Sequence, residues 1–292
     1  MAGLLHMPAS PRRLRELLAG PAPVLAPGAY DALGARLIEA AGFDCVYMTG
    51  FGTAAGLLGR PDIGLLTGTE MVDNARRVAG AVGVPVVADA DTGYGNPLNV
   101  IRTVTDYERA GVAGIHLEDQ VMPKRCGHLS GKAVIDPEDM VAKVRAAVAA
   151  RSDPDFVLIA RTDARAVNGL DDALRRGSAY LDAGADVLFV EAPQTEAEVE
   201  RVAREFSGAP LLFNWVEGGR TPPLTVHELG ELGFRLVIFP IGPLLAATSA
   251  MRSYLGEVRG GAQAQGAGRL TLEQFVELIG MPEVAELEQR FS

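Results

Sequence analysis

Three groups of residues have the types and spacing that chemistry requires. The first is Asp89-Ala90-Asp91-Thr92-Gly93-Tyr94-Gly95, two carboxylates two positions apart at a predicted strand end, followed by glycines that let the chain turn back. Residues i and i+2 of a strand share a side. Paired oxygens there suit a hard divalent cation such as Mg²⁺, which keeps several waters and takes one or two protein carboxylates. Such a pair also serves as an ordinary loop cap, and Glu118, ending the next strand, tips the reading toward metal. The second group, Lys124-Arg125-Cys126-Gly127-His128, lies in a loop from Asp119 to about Val134, long enough to cover a site. A thiol among Lys124, Arg125 and His128 is expected to have a lowered pKa, the mark of a reactive cysteine. The bland alternative is a basic surface loop with an incidental cysteine. The third is Arg161, placed by the apolar run Phe156–Ala160 as a fork for a substrate carboxylate or for Glu191 or Glu118.

Other residues read more plainly. His116 stands among apolar residues and reads as a hydrogen-bonded core side chain, while His6 and His227 read as surface. Cys45 falls inside a strand, which argues against a zinc site. Gly50-Phe51-Gly52-Thr53-Ala54-Ala55-Gly56 misses the dinucleotide-binding spacing by one residue, so that class is set aside.

Positioning these groups requires a scaffold. Strands are expected near 23–26, 44–48, 85–89, 113–117, 156–161, 186–190, 210–213 and 235–239. Helices are expected near 30–42, 69–82, 98–110, 137–150, 170–183, 195–206, 225–232 and 243–258. Strict alternation, with several strands apolar throughout, implies a parallel sheet covered on both faces. Thr49, Asp89, Glu118, Arg161, Glu191 and Asn214 all sit at C-terminal strand ends. An open sheet would spread them along an edge, whereas a (β/α)₈ barrel gathers them at one mouth. The barrel is expected over 1–258. Residues 259–292 comprise a linker and a helical arm whose Phe275, Leu278, Val284 and Leu287 must pack on their own barrel or on a neighbouring subunit.

The 292 residues suit one such barrel, and 48% hydrophobic content allows a large core. A net charge of −10 argues against nucleic acid and anionic membranes, so an anionic substrate would need a local basic site. No apolar run is long enough for a membrane span, and two distant cysteines offer no disulfide framework; a reducing cytoplasm is expected. A divalent metal, anion-binding groups, a thiol and a lid together suit one reaction class. The alkoxide of a 2-hydroxy acid can collapse to a keto group and expel a carbanion, which cations stabilise and an acid quenches.

At these residues the chain resembles the isocitrate lyase/phosphoenolpyruvate mutase superfamily. The likeness runs in order through Tyr47-Met48-Thr49-Gly50-Phe51, Pro61-Asp62, Asp89 to Gly95, Glu118-Asp119-Gln120, Lys124 to His128, Arg161-Thr162-Asp163, Glu191-Ala192-Pro193 and Asn214. The resemblance implies a lyase of the 2-methylisocitrate or 2,3-dimethylmalate type, because mutase and decarboxylase relatives lack the cysteine. It implies Mg²⁺ (Mn²⁺ as a substitute) bound directly by Asp89, with Asp91 and Glu118 acting through its waters and Asp62 shaping its surroundings. Tyr47, Thr49, Gly50 and Phe51 would hold the keto-acid half, and Arg161, His128, Glu191 and Asn214 the other carboxylates. Lys124 and Gly127 belong to the same loop motif, and Cys126 would protonate the enolate. The base is either Tyr47 or a metal-bound water. A homotetramer exchanging C-terminal helices is also implied.

Two departures bear on the substrate. Thr49-Gly50-Phe51 replaces a Ser-Gly-Gly pattern, and Trp215-Val216-Glu217-Gly218-Gly219 replaces Thr-Glu-Phe-Gly. Phe51 and Trp215 are expected to crowd a third carboxylate. Phe189, where isocitrate lyases carry Trp, is expected to leave room for a methyl group and so favour pyruvate as the keto product. The competing enzyme reading is a decarboxylase or hydrolase of oxaloacetate-like substrates; a non-catalytic acid-binding barrel is the third.

Overall fold

The computed structural model describes residues 3–127, 131–261 and 268–292. Strands β1 (Val24–Ala29), β2 (Val46–Met48), β3 (Val86–Asp89), β4 (Gly114–Glu118), β5 (Val157–Thr162), β6 (Val187–Val190), β7 (Leu211–Asn214) and β8 (Phe234–Phe239) pair in parallel in chain order. Val24 lies opposite Leu236 and Leu25 opposite Val237, so β8 closes on β1. The fold is therefore the expected eight-stranded α/β barrel. Its helices are α1 (Pro11–Leu18), α2 (Ala32–Ala40), α3 (Gly50–Leu58), α4 (Gly68–Ala79), α5 (Pro97–Ala110), α6 (Pro137–Ala150) and α7 (Ala164–Val167). After these come α8 (Leu170–Asp182), α9 (Glu196–Glu205), α10 (Val226–Glu231), α11 (Gly242–Arg259), α12 (Leu272–Leu278) and α13 (Met281–Phe291).

Alternation along the strands sorts the core into two sides. Val24, Ala26, Tyr47, Val87, Ile159, Phe189, Leu212 and Ile238 fill the barrel interior. Their neighbours, such as Met48, Ala88, Leu158 and Leu188, face the surrounding helices. Those helices begin where side chains satisfy free backbone N–H groups: Thr67 and Thr225 form capping boxes with Glu70 and Glu228, and Asn96 caps α5 just ahead of Pro97. Strand register pairs Asp89 with His116 and Glu118 with Arg161.

Sequence reading missed α1 and α3. Helix α1 closes the N-terminal end of the barrel: Leu14 and Leu18 are buried among the inward-facing residues, and Arg15 reaches Asp186 at 2.9 Å. Helix α3 starts at Thr49, whose hydroxyl accepts the Gly52 N–H, and stops at Gly59 in the left-handed region (φ 60°). His6 is half-buried rather than on the surface, with Nε2 2.9 Å from the Val82 carbonyl. The arm helices α12 and α13 bury no residue of their own; Leu272 is 78% and Phe291 70% exposed. The arm touches the N-terminal segment where the Leu4 N–H donates to Glu283 (2.7 Å). Residues 262–267 of the linker lie outside the described residues. No described helix is long and apolar enough to cross a membrane.

Because Leu14 is fully buried at the barrel's closed end, Leu14→Ala should cost about 2–5 kcal/mol of stability. Chemical denaturation measures this; a midpoint equal to wild type would mean that α1 does not close the barrel.

Candidate active site

A cavity of about 240 Å³ opens at the C-terminal end of the barrel, lined by Tyr47, Thr49, Phe51, Asp62, Asp89, Glu118, Lys124, Arg125, Cys126, Gly127, Arg161, Glu191 and Asn214, among others. A larger groove of about 650 Å³ lies at the opposite end, between Met7–Pro11 and α4, α5 and α6. Of the two, only the mouth is lined by residues with a buried polar atom left without a hydrogen bond, Glu118 Oε1 and Asn214 Oδ1, among the described residues. Such atoms are costly in a folded protein and call for a partner, which a bound water, ion or ligand can supply.

The strands supply the floor. Inward alternation carries Asp89, Glu118, Arg161, Glu191 and Asn214 to the mouth one step above Val87, His116, Ile159, Phe189 and Leu212. Arg161 forks onto Asp163 (Nε–Oδ2 2.8 Å, Nη2–Oδ1 3.1 Å) and lies 3.3 Å from Glu118 and 4.0 Å from Glu191. Both weighed ion pairs therefore exist, but the principal partner is Asp163, which sequence reading did not single out for this role. Asn214 Nδ2 donates to Glu191 (3.2 Å). Tyr47 shares a 2.8 Å hydrogen bond with His116 Nε2. Burial pushes the Tyr47 phenol well above its ordinary range. Burial also outweighs the pull of Asp89 on His116 and takes it down to about 4, so this imidazole is neutral.

Thr49 and Phe51 line the cavity at the start of α3, and Gly50 lies against the Asp89 carboxylate, leaving no room for a side chain. Asp91 departs from the expectation. The strand ends at Asp89, and Asp91 adopts a left-handed conformation (φ 48°), so alternation no longer governs it. Its N–H donates to Asp89 Oδ1 (2.9 Å), and its carboxylate meets Lys124 at 2.7 Å, behind the cavity wall. Lys124 also reaches Asp62 at 2.6 Å. Burial works against this ammonium, and Asp91, Asp89, Glu118 and Asp62 outweigh it, holding its pKa well above the ordinary lysine value. Lys124 is thus committed to carboxylates, where the sequence suggested a cation for the thiol.

These groups bear directly on the expected metal. Burial pushes Glu118 well above the carboxylate range despite Arg161 and Lys124. Asp91 rises to about 6 from burial, with Lys124 pulling down and Asp89 and Asp62 adding to the rise. Negative charge exceeds what Lys124 and Arg161 neutralise, and all the donors are hard oxygens, as Mg²⁺ prefers. No three His, Cys, Asp or Glu side chains among the described residues form a closed ligand set. Mg²⁺ takes one or two protein carboxylates and completes its shell with water, and Asp89 and Glu118 offer such oxygens at the cavity. The residues fit Mg²⁺ on those terms.

The roof is formed by residues 119–127 and 131–136, between β4 and α6. Val121 N–H donates to Ala133 O (2.8 Å) and Ile135 N–H to Asp119 O (2.9 Å), pairing its two limbs. The Gln120 side chain clasps both backbone groups of Arg125 (2.8 and 3.0 Å). The Cys126 N–H donates to Asp62 O (3.3 Å), which sets the half-buried thiol at the cavity. Gly127 packs so closely on Glu191 and Arg161 that a Cβ would run into both. Lys132, another residue the sequence reading passed over, ties the roof down: its Nζ donates to Gly127 O (2.5 Å) and to Asp163 Oδ1 (2.6 Å). His128 lies outside the described residues.

Two expected site residues lie elsewhere. Trp215 faces away from the mouth, its indole N–H donating to Leu224 O (3.2 Å) and its ring against Phe239. Phe189 points inward but one layer too deep, beneath Arg161 (5.0 Å to the ring centroid) and edge-on to His116. It does not line the cavity, so it cannot read a substrate methyl by contact.

Residues 14–259 match the phosphoenolpyruvate phosphomutase family. The chain is similar to 2,3-dimethylmalate lyase of Eubacterium barkeri, 48% identical over 282 residues that cover 96% of this chain and 97% of that protein. It is similar to the structure of oxaloacetate acetylhydrolase with the inhibitor 3,3-difluorooxalacetate (TM-score 0.92, 41% identity, 97% of each chain). Phosphonopyruvate hydrolase solved with oxalate and Mg²⁺ is a further structural relative (TM-score 0.88, 31% identity, 97% of this chain and 99% of that one).

Replacing Lys132 by Met should loosen the roof, so iodoacetamide should label Cys126 several-fold faster than in wild type. Cys45, fully buried and pushed up to about 12, should stay unlabelled at pH 8 in both. Identical Cys126 labelling rates would mean that Lys132 does not hold the roof.

Proposed function

The chain belongs to the phosphoenolpyruvate mutase/isocitrate lyase superfamily, and on that premise we propose that it is a Mg²⁺-dependent carbon–carbon lyase. Its substrate is a small 2-hydroxy di- or tricarboxylate of the 2,3-dimethylmalate or 2-methylisocitrate kind, and its products are a 2-keto acid, pyruvate, and a carboxylate. One observation carries the reading: Cys126, on the roof, opens onto the same cavity as Asp89, Glu118 and Arg161 on the floor.

The bond between the hydroxyl-bearing carbon and its carboxylate-bearing neighbour breaks. The hydroxyl loses its proton, a keto group forms, and the electron pair passes to the departing fragment as an enolate. Asp89 would hold Mg²⁺, or Mn²⁺ in its place, with Asp91, Glu118 and Asp62 around it, and the ion would supply Lewis-acid stabilisation of negative charge on oxygen. Tyr47 remains a phenol and, with the Thr49 hydroxyl and the backbone N–H groups of Gly50 and Phe51 at the start of α3, holds the keto-acid half. Arg161, Asn214 and Gly127 surround the other carboxylate, and Glu191 orients Asn214. Cys126 gives its proton to the enolate carbon, and the hydroxyl proton restores the thiol, so protons balance over the cycle. The roof excludes water, which strengthens each of these interactions.

The catalytic unit is taken as residues 1–258, and the arm 259–292 as an element exchanged within a homotetramer. The exposed apolar side chains of α12 and α13 support that placement. The likeness to oxaloacetate acetylhydrolase supports a second reading, hydrolysis of oxaloacetate to oxalate and acetate with the same enolate chemistry.

A panel of 2-hydroxy di- and tricarboxylates with Mg²⁺, assayed separately for pyruvate and glyoxylate, distinguishes these readings. A lyase should release pyruvate from the methylated acids, lose turnover in excess EDTA, and fall about 10²–10⁴-fold in kcat on Cys126→Ser. Oxaloacetate hydrolysis with no cleavage of any 2-hydroxy acid would establish the second reading instead.

A further inference from the structure

The turn that follows β3 has an unusual backbone. Asp91 (φ 48°) and Tyr94 (φ 58°) lie in the left-handed region, and Gly93 (φ 80°) and Gly95 (φ 149°) also have positive φ. Left-handed conformations of non-glycine residues cost energy and persist only where the surroundings impose them. Here the carbonyls are claimed one after another. Tyr107 Oη donates to Asp89 O (2.8 Å), the Gly93 N–H to Ala90 O (2.9 Å), the Glu118 N–H to Asp91 O (2.9 Å) and Thr103 Oγ1 to Gly93 O (3.1 Å). The Thr92 carbonyl accepts from Lys143 Nζ at 2.9 Å. Lys143 stands in the second turn of α6, the helix that leads out of the roof, and is only 7% exposed. Burial pulls its pKa below the ordinary lysine value, against Asp139, Asp119 and Glu118. A buried ammonium is costly, and a charge-assisted hydrogen bond to a carbonyl is among the stronger ways to offset that. Thr92 Oγ1 is buried without a hydrogen bond, so this residue is held by its backbone and not by its side chain.

We infer that Lys143 is a positioning residue of the metal site: its ammonium fixes the Thr92 carbonyl and so keeps Asp91 in the left-handed conformation that brings its carboxylate to Lys124. The inference rests on the metal-dependent reading and acts from outside the cavity, which Lys143 does not line. The Glu118 N–H holds the carbonyl before Thr92 and Lys143 holds the carbonyl after it, so Asp91 cannot relax toward extended backbone. Removing the ammonium frees the second carbonyl. Asp91 then withdraws from Lys124, and the carboxylates that Lys124 gathers around Asp89 lose their arrangement.

Lys143→Met keeps the length of the side chain and removes the donor, and Lys143→Gln shortens it while keeping a polar end. Mg²⁺ affinity, measured by calorimetry, should fall about tenfold in either, the low end of the loss when a partner behind a metal ligand is removed. In an Asp91→Asn background the same substitutions should change the affinity less than about twofold, because the route to the metal runs through Asp91. An unchanged affinity in both variants, or an equal loss in both backgrounds, would overturn the inference. If wild type binds no Mg²⁺, the metal reading falls, and amide exchange still decides the role of Lys143. The Glu118 N–H, which donates to Asp91 O, should then exchange several-fold faster in Lys143→Met than in wild type, and equal rates would contradict the assignment.

Discussion

Lys124 links the two halves of the site. With only 3% of its surface exposed, its ammonium lies 2.6 Å from Asp62 and 2.7 Å from Asp91. Removing such a charge from water costs several kcal/mol, roughly, and good geometry with more than one opposite charge is needed to offset it. The carboxylates have the converse problem, because Asp62, Asp89, Asp91 and Glu118 crowd one another in a dry mouth. The pairing answers both needs at once, and Cys126 follows two residues later in the chain. A single buried cation thereby fixes where the thiol sits relative to the carboxylates that would hold the metal.

A second buried network holds the opposite edge of the roof. Asp119 accepts from Thr162 (2.7 Å), Tyr180 (2.8 Å) and the Asp163 N–H (2.8 Å), and it pairs with Arg176 at 3.3 Å. Asp163 in turn receives both Arg161 and Lys132. The guanidinium that lines the cavity and the lysine that ties down Gly127 therefore share one carboxylate. Displacing Lys132 would therefore perturb Arg161 through the carboxylate they share. Electrostatic groups arranged in advance and shielded from water are the usual source of the largest catalytic term.

Much of this was legible in the sequence, and the rest was hidden for identifiable reasons. Apolar strands with a polar last residue revealed the barrel and its floor, because period-two alternation holds while the strand lasts. Asp91 escaped that rule because β3 stops at Asp89. Alternation from Asn214 already places Trp215 on the opposite face, a signal passed over in favour of its size. Phe189 was read on the correct face at the wrong depth, because the Arg161 guanidinium lies over its ring and separates it from the cavity. Helix α1 carries its three leucines, Leu14, Leu17 and Leu18, among arginines and a glutamate and resembles a surface helix. Lys132 lies in a loop, where no periodicity reports direction.

The central claim is that Cys126 delivers the proton that completes cleavage. Running the reaction in D₂O with a 2-hydroxy dicarboxylate such as 2,3-dimethylmalate and examining the released carboxylate by NMR tests it directly. An acid positioned on one side of the cavity gives one deuterium at the former enolate carbon in a single configuration. Cys126→Ser should slow formation of that product severely. A mixture of configurations at that carbon, or undiminished turnover in Cys126→Ser, would contradict the claim, since protonation would then come from solvent.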